Sequence, residues 1–143
     1  GILAAIAIPQ YRKSVEKSRA AGIMILMKAI YDSARFYQIV HGVYPKNFEQ
    51  LDIEIPQSPD FTFPRQNNLA NGNTGNICNC VWASRNPNST RYTIIKRIDD
   101  GRTCCCGADV WAFACKSLGG VKDTEKCSHL SAAFKENACW FIP

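Results

Sequence analysis

The sequence predicts an α+β fold in which a long N-terminal α-helix packs against a three- to four-stranded antiparallel sheet in a disulfide-rich head. Three observations predict it. Apolar residues recur every three or four positions before residue 42, as they do on one face of a helix. Apolar and polar residues alternate in short segments after residue 77, as they do in strands. All eight cysteines also follow residue 77, which indicates one cross-linked unit.

The length and charge of the chain favour a stalk and a single head. At 143 residues, the chain has the size of one domain that can bury a core. Residues 1–42 hold six Lys or Arg and two Asp or Glu, whereas residues 43–143 hold eleven and ten. Because a nucleic-acid-binding head would carry the positive charge itself, we expect no specific nucleic-acid partner. We assign 1–42 to the stalk helix and 43–143 to the head.

Residues 10–40 are predicted to form a helix with one apolar stripe. No proline interrupts it after Pro9, and Gly42 is placed to end it in a left-handed conformation. A helix that starts at Gly1 would be about 60 Å long, so part of it would project beyond the head. The residues predicted to pack against the head are Ile23, Leu26, Met27, Ile30, Ala34 and Tyr37.

The opening segment, GILAAIAI, would be apolar on every side of a helix. Such a helix must lie in a core or in lipid, and the segment is shorter than the roughly twenty residues that span a bilayer. We therefore interpret it as the second part of a longer hydrophobic helix. Pro9 lacks an amide hydrogen and crowds the carbonyl of Ala5, so we expect a bend or local unwinding between Gly1 and Pro9.

The head is predicted to consist of a loop at 43–77, a sheet at 78–115 and a disulfide-bounded region at 116–143. The loop is rich in proline and ends in an Asn-rich segment, which disfavours a helix there. Asp99-Asp100-Gly101 is a good hairpin turn. The predicted strands are 78–84, 92–98, 102–106 and 110–115. A short helix is also predicted from Ser128, carrying Leu130, Ala133 and Phe134 and ending at Asn137.

The cysteines are predicted to form structural disulfides in an exported protein. No C-x-x-C spacing occurs, which argues against zinc, iron–sulfur and covalent haem sites. Disulfides persist in oxidising compartments outside the cytosol. The pairing is open, with bonds between the 78–80 and 104–106 strands, bonds to Cys139 and a Cys115–Cys127 loop all possible. The cysteines are Cys78, Cys80, Cys104, Cys105, Cys106, Cys115, Cys127 and Cys139.

We expect no enzyme, no metal and no cofactor. The two histidines, His41 and His129, belong to no recognisable arrangement of nucleophile, base and orienting group. Asp99, Asp100 and Asp109 are too few and too scattered to provide the oxygen ligands of a calcium site.

Two segments resemble a known family. GILAAIAIPQY is similar to the central part of the N-terminal helix of type IV pilins, a segment rarely found outside pilins and pseudopilins. HGVYPKNFEQL resembles the family's passage from that helix into its connecting loop, where Tyr-Pro follows a glycine. The two segments lie in the family's order, and the resemblance covers about the first third of the chain.

The resemblance implies a pilin fold and a structural subunit of a type IV pilus-like extracellular filament. The chain would be a helical homo-oligomer, anchored in the inner membrane before pilus assembly machinery extracts it. The resemblance also implies further residues before Gly1, and partial melting between Gly1 and Pro9 in the filament. The Asn-rich loop and residues 116–139 would face outward. The residues expected at the filament interface are Ile2, Leu3, Ile6, Ile8, Tyr11, Arg12, Lys13, Glu16, Lys17 and Arg19.

Three alternatives stay open from the sequence. The charged residues of the stalk would form inter-subunit ion pairs or simply a solvated face, since exposed ion pairs contribute little. A second alternative is that the chain is a pseudopilin or minor pilin of a type II secretion or DNA-uptake system. A membrane-anchored binding module that does not polymerise is the other possibility.

Overall fold

One long helix lies across a five-stranded antiparallel sheet. The computed structural model describes residues 2–64, 69, 78–85, 91–123, 125–130 and 139–143, with residues 2–6 as backbone. The fold is therefore α+β, with all four strand pairs antiparallel. The elements are α1 (Ile2–His41), β1 (Phe61–Thr62), β2 (Cys80–Arg85), β3 (Tyr92–Arg97), β4 (Thr103–Gly107), α2 (Ala112–Ser117) and β5 (Cys139–Ile142), with 3₁₀ turns at Phe48–Gln50, Asp109–Trp111 and Ser128–Leu130.

The helix α1 ends where the sequence predicts. Gly42 has a φ of 73°, and its amide donates to the carbonyl oxygen of Gln38 at 2.8 Å. A side chain at this φ would be strained, so glycine closes the helix at low cost. The chain then turns back along the helix through the proline-containing loop.

The sheet is a meander in the order β1-β2-β3-β4-β5. The predicted hairpin between β3 and β4 is confirmed, with Gly101 at a φ of 76° and the Arg97 amide donating to the Arg102 carbonyl oxygen at 2.8 Å. A Cβ atom on Gly101 would lie 3.1 Å from the Tyr31 hydroxyl oxygen. This hairpin therefore packs directly against one side of α1.

The two faces of the sheet belong to two separate clusters of buried residues, as strand alternation requires. The helix-facing cluster includes Val81, Ile94 and Cys105, and it packs against Met27 and Ile30 of α1. The opposite cluster is formed by Cys78, Cys80, Trp82, Ile95, Cys104, Cys106, Cys127, Leu130 and Cys139. The head therefore has one core under the helix and a second, cysteine-rich core on the far face.

All eight cysteines are paired, as Cys78–Cys80, Cys104–Cys127, Cys105–Cys115 and Cys106–Cys139. The suggested bond from a strand to Cys139 is confirmed. A bond between β2 and β4 does not form, because β3 lies between them and two strand spacings of about 4.8 Å exceed the reach of a disulfide. The suggested Cys115–Cys127 bond is wrong, since Cys105 and Cys104 take these partners.

The segment 110–115 is not a strand. It forms a 3₁₀ turn at Asp109–Trp111 and the first residues of α2. A short apolar run fits either a strand or a buried helix, and the two alanines of VWAFAC favour the helix. The Cys105–Cys115 bond ties α2 to the helix-facing side of the sheet.

Three of the predicted strands form, as β2, β3 and β4. The sheet contains two further strands, β1 and β5. β1 is only two residues long, and β5 lies at the C-terminus, outside the predicted strands. Val121 pairs with Phe141 and covers part of the free edge of β5. The predicted helix after Ser128 begins as a 3₁₀ turn. Its residues Ala133, Phe134 and Asn137, and the Asn-rich loop apart from Leu69, lie outside the described residues.

Candidate functional site

The helix α1 presents a second apolar face, opposite the one that packs on the sheet. Ile25 lies two residues from the buried Met27, which is about 200° around a helix. It is 76% exposed. Tyr11 and Phe36 precede and follow Ile25 by close to whole numbers of turns and are also exposed. We call this side of α1, opposite the sheet, the outward face.

Large apolar side chains cluster at the C-terminal end of the outward face. Phe36, Ile39, Val40 and Val43 are all exposed, with Ile39 at 73%. Phe36, Ile39 and Val40 lie at i, i+3 and i+4, the spacing of one helical side, and Val43 follows Gly42 just beyond the end of α1. Contiguous apolar surface of this kind marks interaction sites more often than scattered single residues do.

Small residues fill the middle of the outward face. They are exposed and lie on either side of Ile25 along the helix, and a second helix would meet little side-chain bulk at these positions. The charged Asp32, on the same side, is paired with Lys28 one turn away. The small residues are Ser14, Ser18, Ala21, Gly22 and Ala29.

A buried ion pair fixes α1 to the sheet at the lower end of the head. Glu16 is 4% exposed and Arg85 is 5% exposed. The guanidinium of Arg85 contacts both carboxylate oxygens of Glu16, with Nη2 3.2 Å from Oε2. The Tyr92 hydroxyl donates to Glu16 Oε1 at 2.7 Å. Because both charges are buried and hydrogen-bonded, this site defines one position of the helix on the sheet.

The surroundings of Glu16 keep it ionised. Burial alone would raise the pKa of Glu16, but hydrogen bonds from Arg85 and Tyr92 and the charge of Arg85 outweigh it, so its pKa lies below the usual value. Burial, followed by the hydrogen bond to the Glu16 carboxylate, raises the pKa of Tyr92. Tyr92 therefore remains a neutral donor at physiological pH.

A second acid completes the network. Arg19 Nε lies 3.1 Å from Asp60 Oδ1, and Arg19 Nη1 lies 3.4 Å from Glu16 Oε2. Arg85 Nη1 donates to the carbonyl oxygen of Asp60 at 3.0 Å. The network thus joins α1, β2, β3 and the segment before β1.

A crevice of about 640 Å³ opens beside this network, where α1 leaves the head. We call it the junction crevice. The Arg91 guanidinium lies over the Trp111 ring at 5.0 Å from its centroid, a cation–π contact. The lining residues are Ile8, Pro9, Tyr11, Arg12, Lys13, Val15, Glu16, Arg19, Arg85, Arg91, Trp111 and Phe113.

Eight of the ten predicted interface residues fall into two groups. Ile8, Tyr11, Arg12, Lys13 and Lys17 are exposed, as an interface with another molecule requires. The side chains of Ile2, Leu3 and Ile6 lie outside the described residues.

Glu16 differs from the prediction. It is buried and paired within the chain, so it belongs to the contact between helix and head. The reason is its position on the buried stripe, four residues before Ala20 and seven before Ile23. Arg19 is half exposed and also pairs within the chain.

The predicted packing residues lie mostly where expected. Ile23, Met27, Ile30 and Ala34 are buried in the helix-facing core, and Leu26 packs against it half-buried. Tyr37 is half-buried as well. Its ring stacks on His41 with centroids 4.1 Å apart, so its observed aromatic contact is at the end of the helix.

The helix is continuous across Pro9, and no local unwinding occurs in the described residues from Ile2 onward. Gly1 lies outside them. The melting expected for an assembled filament is a property of another state and stays a prediction.

The sequence does not single out Arg85 and Tyr92 as site residues. Arg85 lies just beyond the predicted strand 78–84, and Tyr92 is the first residue of the predicted strand 92–98. A charged Glu16 on an otherwise apolar helical stripe was the available signal, because a buried carboxylate requires a cationic partner.

Within the part of the chain that the structure describes, no group of three or more potential ligands is arranged to hold a metal ion. Among those same residues, no helix is both long and apolar enough to cross a membrane. Comparison of the chain with protein-family models, curated proteins and solved structures finds no match.

Proposed function

We propose that this chain is a structural subunit of a type IV pilus-like extracellular filament that polymerises through its N-terminal helix. The observation that carries the proposal is the outward face of α1, which carries exposed apolar side chains from Tyr11 to Val40. The resemblance of GILAAIAIPQY and HGVYPKNFEQL to type IV pilins supports the same conclusion. The α+β fold, with its long helix laid on an antiparallel sheet, is compatible with it.

In the filament, the outward face packs against the helices of neighbouring copies. Each Å² of apolar surface removed from water contributes about 25 cal/mol, and large exposed side chains such as Ile25, Phe36 and Ile39 offer such surface. Small residues on the same face, such as Ala21 and Ala29, allow close helix approach. The head then lies outside the bundle of helices, because it occupies the opposite side of α1.

Before assembly, the apolar start of α1 lies in the inner membrane, and assembly machinery then transfers the chain into the filament. Transfer from lipid gains little hydrophobic free energy, so specific packing must direct it. The four disulfides support an extracellular location, since they persist in oxidising surroundings.

The test compares two lysine substitutions at equally exposed apolar residues. Ile25→Lys changes the outward face, whereas Val110→Lys changes the head, where the valine is 77% exposed. We expect Ile25→Lys to abolish fibres sheared from the cell surface, because it buries an unpaired charge in the helix bundle. Val110→Lys should leave fibre yield unchanged.

Immunoblots of cell fractions give the outcome of this experiment. Normal fibres from Ile25→Lys cells would contradict the proposed interface. Fibres that contain this chain only in trace amounts would assign it to a minor pilin or pseudopilin. A complete absence of fibres from cells that produce the unsubstituted chain, with single heads on the envelope, would indicate a non-polymerising binding module.

A further inference from the structure

We propose that the junction crevice binds the phosphate headgroup of an anionic phospholipid while the chain is in the membrane. The inference rests on the proposed function, because insertion of the apolar helix start is what brings the crevice to the bilayer surface. It goes beyond that function by assigning a lipid-binding site to the lower end of the head.

The crevice has an excess of positive charge. The carboxylate of Glu16 is already neutralised by Arg85 and Arg19. None of the ion pairs between described residues involves Arg12, Lys13 or Arg91. These three cations thus have no carboxylate partner among the described residues, and guanidinium groups match phosphate oxygens in bidentate geometry.

The crevice also lies at the right height on the helix. The apolar opening ends at Ile8, and Arg12 follows one turn later, about 6 Å along the helix axis. When residues up to Ile8 lie in hydrocarbon, Arg12 reaches the polar layer, which is several Å thick on each side of a bilayer (about 5–8 Å). Arg12 and Lys13 would then lie beside the headgroups.

Aromatic rings line the same crevice. Tyr11 is exposed, and Trp111 and Phe113 are half-buried. Tyrosine and tryptophan are enriched at membrane interfaces because their rings combine an apolar body with a polar atom. The Trp111 ring carries the Arg91 guanidinium, so one element of the crevice offers both an apolar surface and a cation to a lipid.

A second copy of the chain is the competing occupant. Its exposed acidic residues Glu49, Asp52 and Glu54 would also suit a basic crevice. The lipid is favoured because the crevice adjoins the apolar start of α1 and is lined by interfacial aromatic residues.

The experiment uses tryptophan fluorescence with vesicles of brominated lipid. Trp82 and Trp140 are buried, whereas Trp111 is half-buried in the crevice, so Trp111 is the residue that contact quenching reports. We expect strong quenching with vesicles of phosphatidylcholine and phosphatidylglycerol in equal parts, and weaker quenching with phosphatidylcholine alone. Trp111→Phe should remove the difference, and added salt should reduce it.

Charge variants identify the residues. Arg12→Gln/Arg91→Gln should weaken binding to the anionic vesicles about thirtyfold, because each cation near the surface contributes about 1 kcal/mol. Binding to neutral vesicles should be unchanged. The matched control, Arg102→Gln/Lys116→Gln, removes two exposed cations of the head and should bind as the unsubstituted chain does. Near-ultraviolet circular dichroism checks that each variant is folded. Lys13→Gln removes one cation, so it should weaken binding to the anionic vesicles less than the double variant does.

The outcomes separate this inference from the proposed function. Equal quenching by anionic and neutral vesicles, or an unaffected double variant, would overturn the crevice as a lipid site and leave the filament proposal standing. Quenching that inorganic phosphate abolishes at equal ionic strength would show a free-phosphate site and overturn the lipid proposal. Failure of the unsubstituted chain to bind either vesicle would contradict the membrane stage of the proposed function itself. Variants that bind vesicles normally but form no fibres would assign the crevice to a second copy.

Discussion

Glu16 is the residue that joins the two parts of this molecule. It lies on the same helical stripe as Ala20 and Ile23, yet it places a charge where the other positions are apolar. Replacing a buried ion pair with apolar residues is often neutral or stabilising, so the pair is not needed for stability alone. The pair forms only when Arg85 and Tyr92 of the sheet lie at the level of Glu16 along the helix. We infer that it fixes the register of α1 on the sheet, and hence the orientation of the outward face.

Glu16→Gln should destabilise the head by about 3 kcal/mol at pH 7, because Arg85 is left buried without its counter-charge. The pKa of Glu16 is lowered in the folded chain, so its ionic contribution is complete above the usual carboxylate pKa of 4.5 and is lost as the pH falls through the folded-state pKa. The difference between the unsubstituted chain and the variant should therefore shrink in acid. Guanidinium unfolding at pH 7 and at pH 3 measures it.

The control for this substitution is Glu49→Gln, at an exposed position on the surface loop. It should change the unfolding free energy by less than about 0.5 kcal/mol. A loss as small for Glu16→Gln, or one that grows in acid, would contradict the assigned role of Glu16.

At the scale of elements, the helix and the central hairpin were predictable and the small elements were not. The stripe that includes Met27 and Ile30, with Gly42 at its end, determines α1 by local spacing alone. α2 and β5 depend on tertiary partners, because Cys115 and Cys139 are held by disulfides to β4. The local sequence does not show which cysteines pair, so the strand predicted for VWAFAC is wrong.

The same limit applies to the candidate site. The apolar opening segment and the charged residues after it are properties of consecutive positions, so the sequence shows them directly. The Glu16–Arg85 pair joins residues 69 positions apart. The junction crevice joins α1 to Arg91 and Trp111 in the same long-range way. Such contacts follow from the fold and could not be derived from composition or spacing.

The disulfides differ in the length of chain that they constrain, and this difference gives a prediction. Cys106–Cys139 has a sequence separation of 33, whereas Cys78–Cys80 has a separation of 2. Loop-closure entropy of the unfolded chain predicts a loss of about 4 kcal/mol for Cys106→Ala/Cys139→Ala and about 1.5 kcal/mol for Cys78→Ala/Cys80→Ala. Guanidinium unfolding under non-reducing conditions compares them. An equal or larger loss for the Cys78–Cys80 variant would show that chain entropy does not rank these bonds.

At the scale of the whole molecule, the chain divides into a helix start and a head. The apolar start of α1 lies at one end of the helix, and the cross-linked sheet packs on one side of its later part. The head therefore covers only one of the two apolar faces of the helix. A soluble single-domain protein would place polar residues on the second face, whereas a polymer of this chain would bury it.

The most direct test of this account is a helical reconstruction by electron microscopy of fibres sheared from the surface of cells that produce the chain. We expect the chain to be the repeating unit, with Ile25, Phe36 and Ile39 in contact with helices of neighbouring copies and the cysteine-rich face of the sheet outside. Fibres built from another protein, or helices whose Ile25 side faces solvent, would contradict it.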